Sequence, residues 1–456
     1  MANPSASRHA VLLQRMRDGD RLSLYDQLML IFSLSLPAVL AQLSSIAMSY
    51  IDASMVGHLG QLEGAAIGIV SSSTWLIWGL SYSCVVGFTV QTAHLIGAKK
   101  NDEAHSLMKL AFAVNSIFTV IFTGIILGIS PFVPRWLGAG DLIYRDAFLY
   151  FFIFALSLPV IQFNSLATGM LQCSGNMRFP SIVQILMGVL NVAFNYLFIY
   201  VFNMGVKGAA IATLLARLIT TVLLLFYLLF KSDLLALKYV GKMARDRAYL
   251  FKAFKIGLPV AFEQMIMSGG QVAFTKIVSP LGELALSANS FAITAESLCY
   301  MPAYGLSSAA TTITGQCYGS GQKKLTWHLG WLTTSVGITL QIITGALMFV
   351  FARQMIGFIS PDPAIIELGA AVLMIEAFSE PFYGASLVAS GALAGTGDTL
   401  VPSCIKFFSM WMIRIPLALF LRGRYGLEGV WFAMSFELCV RGILFLLRLG
   451  GKSWTK

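Results

Sequence analysis

Charge is scarce in this chain of 456 residues: Asp, Glu, Lys and Arg together make up only 11%, against 57% hydrophobic residues. Ordinary soluble domains carry roughly a quarter charged residues, so an aqueous globular protein is a poor fit. Paired metal-ligating motifs are also missing. The six cysteines (Cys84, Cys173, Cys299, Cys317, Cys404, Cys439) are scattered through apolar segments without a C-x-x-C pair. The five histidines (His9, His58, His94, His105, His328) make no H-E-x-x-H, so metal chemistry has little support. No G-x-x-x-x-G-K-[ST] occurs. The fragments GTGD (395–398) and GSGQ (319–322) read as glycine caps at helix ends rather than phosphate cradles. His-Asp and Ser-x-x-Lys pairs are absent as well, so the chain is read as a non-enzyme with no cofactor. Segments of about ten residues with alternating hydrophobicity are not found either, which removes a membrane β-barrel.

Long apolar runs are abundant. They recur from about Leu28 to Leu449, several exceeding the roughly 20 residues needed to cross a bilayer core. The expected fold is therefore all-α and polytopic, with twelve transmembrane helices near 28–57, 65–92, 106–130, 143–170, 180–202, 206–230, 250–278, 286–315, 327–351, 364–392, 401–421 and 428–449. Prolines at 37, 159, 259, 302 and 381 predict kinks or tilt. The net charge of +10 does not point to nucleic acid, because Lys and Arg crowd into alternate loops. These are the N-terminal tail (Arg8, Arg15, Arg17, Arg21), Lys99/Lys100, Arg178, the 231–255 segment, Lys323/Lys324 and the tail with Lys452 and Lys456. By the positive-inside rule both termini are cytoplasmic, and the positive charge faces anionic lipid. The first apolar run is too long for a cleaved signal, so it is expected to be retained.

The two halves align on each other. LPAVLAQL at 36 matches LPVAFEQM at 258, and HLGQLEGAAIG at 58 matches PLGELALSANS at 280. From Pro37 to Pro259 is 222 positions, and the same shift relates Gly97, Pro159, Gly169, Gly175 and Pro180 to Gly319, Pro381, Gly391, Gly397 and Pro402. The expected domains are a tail (1–27), an N-terminal six-helix lobe (28–230), a basic linker (231–249), a C-terminal six-helix lobe (250–449) and a short tail (450–456). An even number of spans per half puts the pseudo-twofold axis along the membrane normal, with substrate held at the repeat interface and the lobes rocking about it. Without a nucleotide site, the energy source is expected to be an ion gradient.

Polar residues present in only one half separate function from scaffold. Asp52 lies in an apolar run with no Lys or Arg within ten residues, and its counterpart is Phe274. Asn191 and Asn195 are four apart, on one helix face. The C-terminal half has its own set: Glu263, Glu296, Glu380 and Arg414, against Ala41, Thr74, Leu158 and Val192 or Ala193. A charge at the bilayer centre costs roughly 2.5–3.5 kcal/mol on insertion scales, so these groups need partners or water. Static pairs and a role in cation or substrate binding are both consistent with Glu296, Glu380 and Arg414, while Glu263 with Gln264 reads as substrate-facing. Asp52 is either an acid reaching interfacial water at the rim or a reversible cation site. In the second case the amide oxygens share its proton or complete an oxygen shell for Na⁺.

With these residues in view, the chain resembles the MATE (multidrug and toxic compound extrusion) family over nearly its whole length. The resemblance is carried by LPAVLAQL with Asp52 fifteen residues after Pro37, the paired HLGQLEGAA and PLGELALSA turns, IGAKKNDEA, GNMRFP (175–180), LNVAFNYLFIYVFNMGVKGAAIAT (190–213) and EPFYGASLVASGALAGTGDT (380–399). It implies two six-helix lobes around a central cavity, exporting amphipathic, often cationic compounds in exchange for H⁺ or Na⁺. It further implies a DinF-like cation site at Asp52, Asn191, Asn195 and Thr213, although Asn195 stands where those members have a second Asp. The NorM-like acids fall here on Met267 and Tyr383, so that C-lobe Na⁺ site is not carried over. Glu263, Gln264 and Glu296 look instead like a bacterial subgroup with LPxxxEQ and ESLxxMP. Trp75, Trp78, Tyr82, Phe163, Tyr300, Met301 and Tyr383 are candidates for an aromatic and thioether face toward flat cations. The expected partners are a small amphipathic molecule and the lipid bilayer, with no nucleic acid and a monomeric chain. A lipid-precursor flippase of the same superfamily is the runner-up; it predicts extra spans and a strongly basic cavity. A channel is separated from an antiporter by counter-gradient accumulation.

Overall fold

The computed structural model describes residues 8–57, 61–236 and 246–455. Parts of four expected features lie outside them: the start of the N-terminal tail (1–7), the HLG of the first paired turn (58–60), nearly half of the basic linker (237–245) and the last residue of the C-terminal tail (456). All regular elements among the described residues are helical. In order they are α1 (Arg8–Asp18), α2 (Leu24–Gly57), α3 (Gln61–Gly97), α4 (Asn101–Ile129), α5 (Val133–Trp136), α6 (Asp141–Cys173), α7 (Arg178–Asn195), α8 (Gly205–Phe226), α9 (Arg247–Val278), α10 (Glu283–Gly319), α11 (Lys323–Ile359), α12 (Pro363–Ala377), α13 (Glu380–Gly395), α14 (Leu400–Phe408) and α15 (Ile415–Gly450). Wider π turns extend α7 over Tyr196–Val201 and α8 over Tyr227–Lys231, and join α14 to α15 over Ser409–Arg414.

Among the described residues, eight helical stretches are long and apolar enough to cross a membrane: Leu24–Asp52, Leu62–Gly97, Asn101–Ile129, Asp141–Cys173, Arg178–Val201, Gly205–Lys231, Lys323–Ile359 and Leu400–Gly450. Helices also form at the other expected spans, but their chemistry differs. α9 carries Arg247, Lys252, Lys255, Glu263 and Lys276, and α10 carries Glu283 and Glu296. The expected span 364–392 is two helices: α12 ends at Ala377, and Pro381 opens α13 instead of kinking a continuous helix. The last two expected spans run together except at Gly426, whose φ of 58° and ψ of −136° break the helix. On α4, Ile117, Val120, Ile121 and Ile125 are exposed while Leu107, Met108 and Ala111 are buried. An exposed apolar stripe of this kind suits hydrocarbon.

The sequence repeat reappears in the backbone. Lys99, Gly175, Gly321 and Gly397 all take positive φ, at 59°, 96°, 80° and 88°. Each follows a helix end where two amides turn back onto carbonyls of the last turn. At Gly397 the pair is Gly397 N–H to Ala394 O at 2.9 Å and Asp398 N–H to Leu393 O at 3.1 Å, and at Gly175 it is Gly175 N–H to Gln172 O at 2.8 Å and Asn176 N–H to Leu171 O at 3.0 Å. This left-handed cap favours glycine because no Cβ is in the way. GTGD and GSGQ are thus helix terminators in the structure.

The chain divides into two compact units, one made of Met1–Leu43 and Phe262–Lys456, the other of Ser44–Ala261. The expected lobes, 28–230 and 250–449, differ from these units at their first helices: α2 begins in one unit and ends in the other, and so does α9. Close backbone approach accounts for this. In the second unit Gly257 packs where a Cβ would lie 2.6 Å from Ser83 O, and a Cβ on Gly87 would strike Ala253 O, so the start of α9 lies tight on α3. In the first unit a Cβ on Gly305 would lie 2.6 Å from Val39 N, so the start of α2 lies tight on α10. The expected tail also gains structure in that unit: α1 buries Leu12, Leu13 and Met16, and Arg17 Nε donates to Gln316 Oε1 at 3.1 Å. Gly305→Val is expected to lower the melting temperature by an amount equivalent to roughly 1–3 kcal/mol of overpacking. Gly423→Ala, with nothing within 4 Å of its Cβ, is expected to leave it unchanged.

Candidate functional site

In the unit Ser44–Ala261, three helices bring the Asp52 set together. Asp52 lies five residues before the end of α2 and is half-buried. Asn191 and Asn195 stand one turn apart at the end of α7 and are 8% and 0% exposed. Beyond Asn195 the helix widens into its π turn, a distortion often found at functional sites. Asn195 Nδ2 donates to Asp52 Oδ1, and also to Asn191 Oδ1 at 3.3 Å. Asn191 Nδ2 donates to Thr213 Oγ1 on α8 at 3.0 Å, and Thr213 Oγ1 donates to Ala209 O at 3.1 Å. The result is one relay from a carboxylate through two amides and a hydroxyl to a backbone carbonyl.

One acceptor is left over. Asn195 Oδ1 is buried without a hydrogen-bond partner among the described residues. A buried oxygen without a donor is costly, and a cation relieves that cost directly. Two further groups belong to this cluster, although sequence reading did not single them out. Tyr150 on α6 lies within electrostatic reach of both Asp52 and Arg217, and Arg217 stands one turn beyond Thr213 on α8. Arg217 has Leu438 opposite it in the repeat, so the same half-against-half comparison that isolated Asp52 would have found it.

The unit containing Phe262–Lys456 holds the second polar set, paired differently from expectation. Glu263, read as substrate-facing, accepts from Lys406 Nζ at 2.5 Å and from Ser403 Oγ at 3.1 Å. Lys406 also reaches Ser390 Oγ at 3.2 Å. Gln264 beside Glu263 is half-buried. Arg414 meets Glu437 rather than Glu296 or Glu380: its Nε and Nη2 donate to Glu437 Oε2 at 2.9 and 2.6 Å. The other oxygen, Glu437 Oε1, accepts from Arg441 Nε at 2.7 Å, and Arg441 Nε also reaches Ser409 Oγ at 3.1 Å. Glu437, Arg441 and Lys406 escaped sequence reading, yet their repeat counterparts Ala216, Thr220 and Gln184 carry no charge, and that contrast was the available signal.

Of the aromatic candidates, Trp75, Trp78 and Tyr82 form a run on α3, with Trp78 stacked on Tyr82 at 6.1 Å, and all three are exposed. Phe163 stacks on Phe112 at 6.1 Å. Tyr383 packs on Tyr300 with ring centroids 5.4 Å apart; Met301 is half-buried next to Tyr300. Among the described residues no group of three or more His, Cys, Asp or Glu is arranged to hold a metal ion.

These features define a duplicated, all-helical membrane protein with ionisable clusters buried inside its bundles. The MatE family model matches it twice, over residues 37–197 and 259–420, one match per repeat. A probable multidrug resistance protein NorM from Thermotoga maritima is 30% identical over 442 residues, covering 93% of this chain and 93% of the relative. A second protein of that description, from Mannheimia succiniciproducens, is 25% identical over 437 residues, covering 91% of this chain and 92% of the relative. A solved structure described as the outward-facing conformation of a multidrug resistance MATE family transporter of the MOP superfamily superposes with a TM-score of 0.89 at 21% identity, covering 99% of this chain and all of that one. That last likeness speaks for the fold. The chain belongs to the MatE family of membrane transporters.

Proposed function

We propose that the protein is a secondary antiporter that exports amphipathic, cationic drugs or metabolites in exchange for H⁺ or Na⁺, by alternating access of two six-helix lobes. In this reading it spans a bacterial cytoplasmic membrane twelve times, as a monomer with both termini inside. The observation that carries the proposal is the hydrogen bond donated by Asn195 Nδ2 to Asp52, at the head of the relay to Asn191 and Thr213, with the Asn195 amide oxygen left over among the described residues. An acid held by neutral amides, with no ion pair to Lys, Arg or His among the described residues, is suited to take up and release a cation. Because Asn195 is not an acid, this site has one carboxyl and carries one charge per cycle. Exchanged one for one against a monovalent cationic substrate, this charge leaves no net charge moved across the membrane, so the ion's concentration gradient drives export, at about 1.4 kcal/mol for each tenfold difference.

The substrate class is supported by relatives described as probable multidrug resistance proteins. A DinF-like subtype is supported by the position of Asp52 and by Met267 and Tyr383 standing where NorM-like acids would be. The test is transport of ethidium by proteoliposomes under an imposed pH or Na⁺ gradient. Accumulation against the dye gradient is expected, collapsing when the ion gradient is removed; dye that only equilibrates would leave a channel or no transport at all.

A further inference from the structure

The start of α11 is basic and aromatic where its repeat partner is not. Residues 323–331 read KKLTWHLGW, and the stretch 222 positions earlier, 101–109, reads NDEAHSLMK. Lys324 thus stands where the first half has Asp102, and Trp327 and Trp331 where it has His105 and Lys109. Both stretches open a long helix just after a left-handed residue, Gly321 or Lys99, so the shared fold does not require the lysine or the indoles. The C-terminal turn Lys452–Thr455 completes the cluster. Trp454, 4% exposed, packs on Gly330, where a Cβ would lie 2.9 Å from its ring, and its Nε1 donates to Leu449 O at 3.0 Å. That anchor holds Lys452 Nζ over the Trp327 ring, 5.8 Å from its centroid, and the Trp327 and Trp331 rings are 6.3 Å apart. Lys324 is exposed one turn before Trp327. Among the described residues neither Lys324 nor Lys452 forms an ion pair, and Asp398 at this end of the unit is taken by Arg448 at 2.6 Å. The N–H groups of Trp327 and Trp331 are buried without an acceptor among those residues.

Two ammoniums and two N–H donors therefore meet with no anion of their own. α11 has 37 residues, about 55 Å of helix against a hydrocarbon core of about 30 Å, so its first turns stand in the headgroup layer. At 100° per residue, Lys324, Trp331, Ile342 and Phe349 fall within about 20° of one line along the helix, and Ile342 and Phe349 are 51% and 42% exposed. That line runs from a cation through an indole to bare apolar surface, which is the order of charge, ester and acyl chain along a phospholipid. We propose that the start of α11 and Lys452 form a binding site for an anionic phospholipid, its phosphate held by Lys324 and Lys452 beside the two indoles and an acyl chain lying along Ile342 and Phe349. The phosphodiester brings the missing negative charge, and lipid oxygens bring the acceptors that the indoles lack. Lys452 is exposed, so it uncovers the Trp327 ring as it turns to the phosphate. In the orientation proposed above this is the cytoplasmic leaflet. The site itself needs only that α11 crosses a bilayer, so it holds or fails independently of antiport.

The test is a titration of dansyl-labelled phosphatidylglycerol into the delipidated full-length protein in detergent, beside the same probe with a choline headgroup. Wild type is expected to prefer phosphatidylglycerol by roughly thirtyfold, the scale of two lysines at an anionic lipid surface, and Lys324→Gln/Lys452→Gln is expected to lose that preference. Both lysines are exposed, so the double variant is expected to melt with the wild type. Lys99→Gln/Lys100→Gln removes the same charge from the first half and is expected to bind as wild type does. The proposal is overturned by equal affinity for the two headgroups, by a Lys324→Gln/Lys452→Gln variant that binds as wild type does, or by Lys99→Gln/Lys100→Gln weakening binding as much, which would make the attraction one of overall charge. Millimolar inorganic phosphate is expected to leave the probe bound; full displacement overturns the proposal too, making this a site for soluble phosphate.

Discussion

Asp52→Asn is expected to abolish gradient-driven ethidium efflux, lowering the initial rate by more than about tenfold, while leaving dye binding to the purified protein within about twofold of wild type. The ion gradient enters only through the cation taken up at position 52, so a side chain that cannot change charge disconnects efflux from its driving force. The substitution is nearly isosteric and Asn195 keeps a partner, because an amide oxygen at position 52 still accepts from Asn195 Nδ2. What is lost is the ability to change charge. Binding therefore survives and coupling does not, a split that a structural defect would not give. Asp52→Glu, which retains a carboxyl on a longer stem, is expected to fall between the two. Efflux of equal rate in wild type and Asp52→Asn would return Asp52 to the role of a rim acid.

The second large effect is on stability. Glu437 is fully buried and holds two guanidiniums, Arg414 at 2.6 Å and Arg441 at 2.6 Å. Removing one partner of a buried ion pair costs about 3–5 kcal/mol, because the remaining charge is stranded. Glu437→Gln strands two, so the upper end of that range is expected, read as a melting temperature many degrees below wild type or as failure to recover folded protein. Arg414→Met is expected to be milder, since Glu437 keeps Arg441. If Glu437→Gln melted with the wild type, the triad would contribute little to the fold.

Much of this was legible in residues alone. The 222-residue repeat predicted from paired prolines and glycines returns as paired positive-φ caps at Gly175 and Gly397, because a left-handed cap leaves a glycine in the sequence. The i,i+4 spacing of Asn191 and Asn195 put both amides on one face, and the relay uses both. The swapped halves of α2 and α9 were not legible. Hydropathy reports that a segment is apolar, not which bundle each half of a long helix touches; that choice is made by close contacts such as Gly305 on Val39. The partners of Arg414 and Glu263 were missed for a related reason. Glu437 and Lys406 are distant in sequence from the residues they pair with, and neither span depth nor local spacing identifies a particular mate across a bundle. The break before Glu380 did have a local signal in Ser-Glu-Pro, since proline near a helix start is a nucleating residue and not merely a kink.

The claim on which the rest depends is that the Asp52 relay binds the coupling cation. Its most direct measurement is cation exchange by the purified protein in detergent, wild type beside Asp52→Asn: protons released into weakly buffered solution on ethidium addition, and radioactive Na⁺ retained at fixed pH. One of the two signals is predicted in the wild type and is predicted to fall in the variant by about one ion per chain, the charge of a single carboxyl at this site. Identical proton release and identical Na⁺ retention in both proteins would contradict the account.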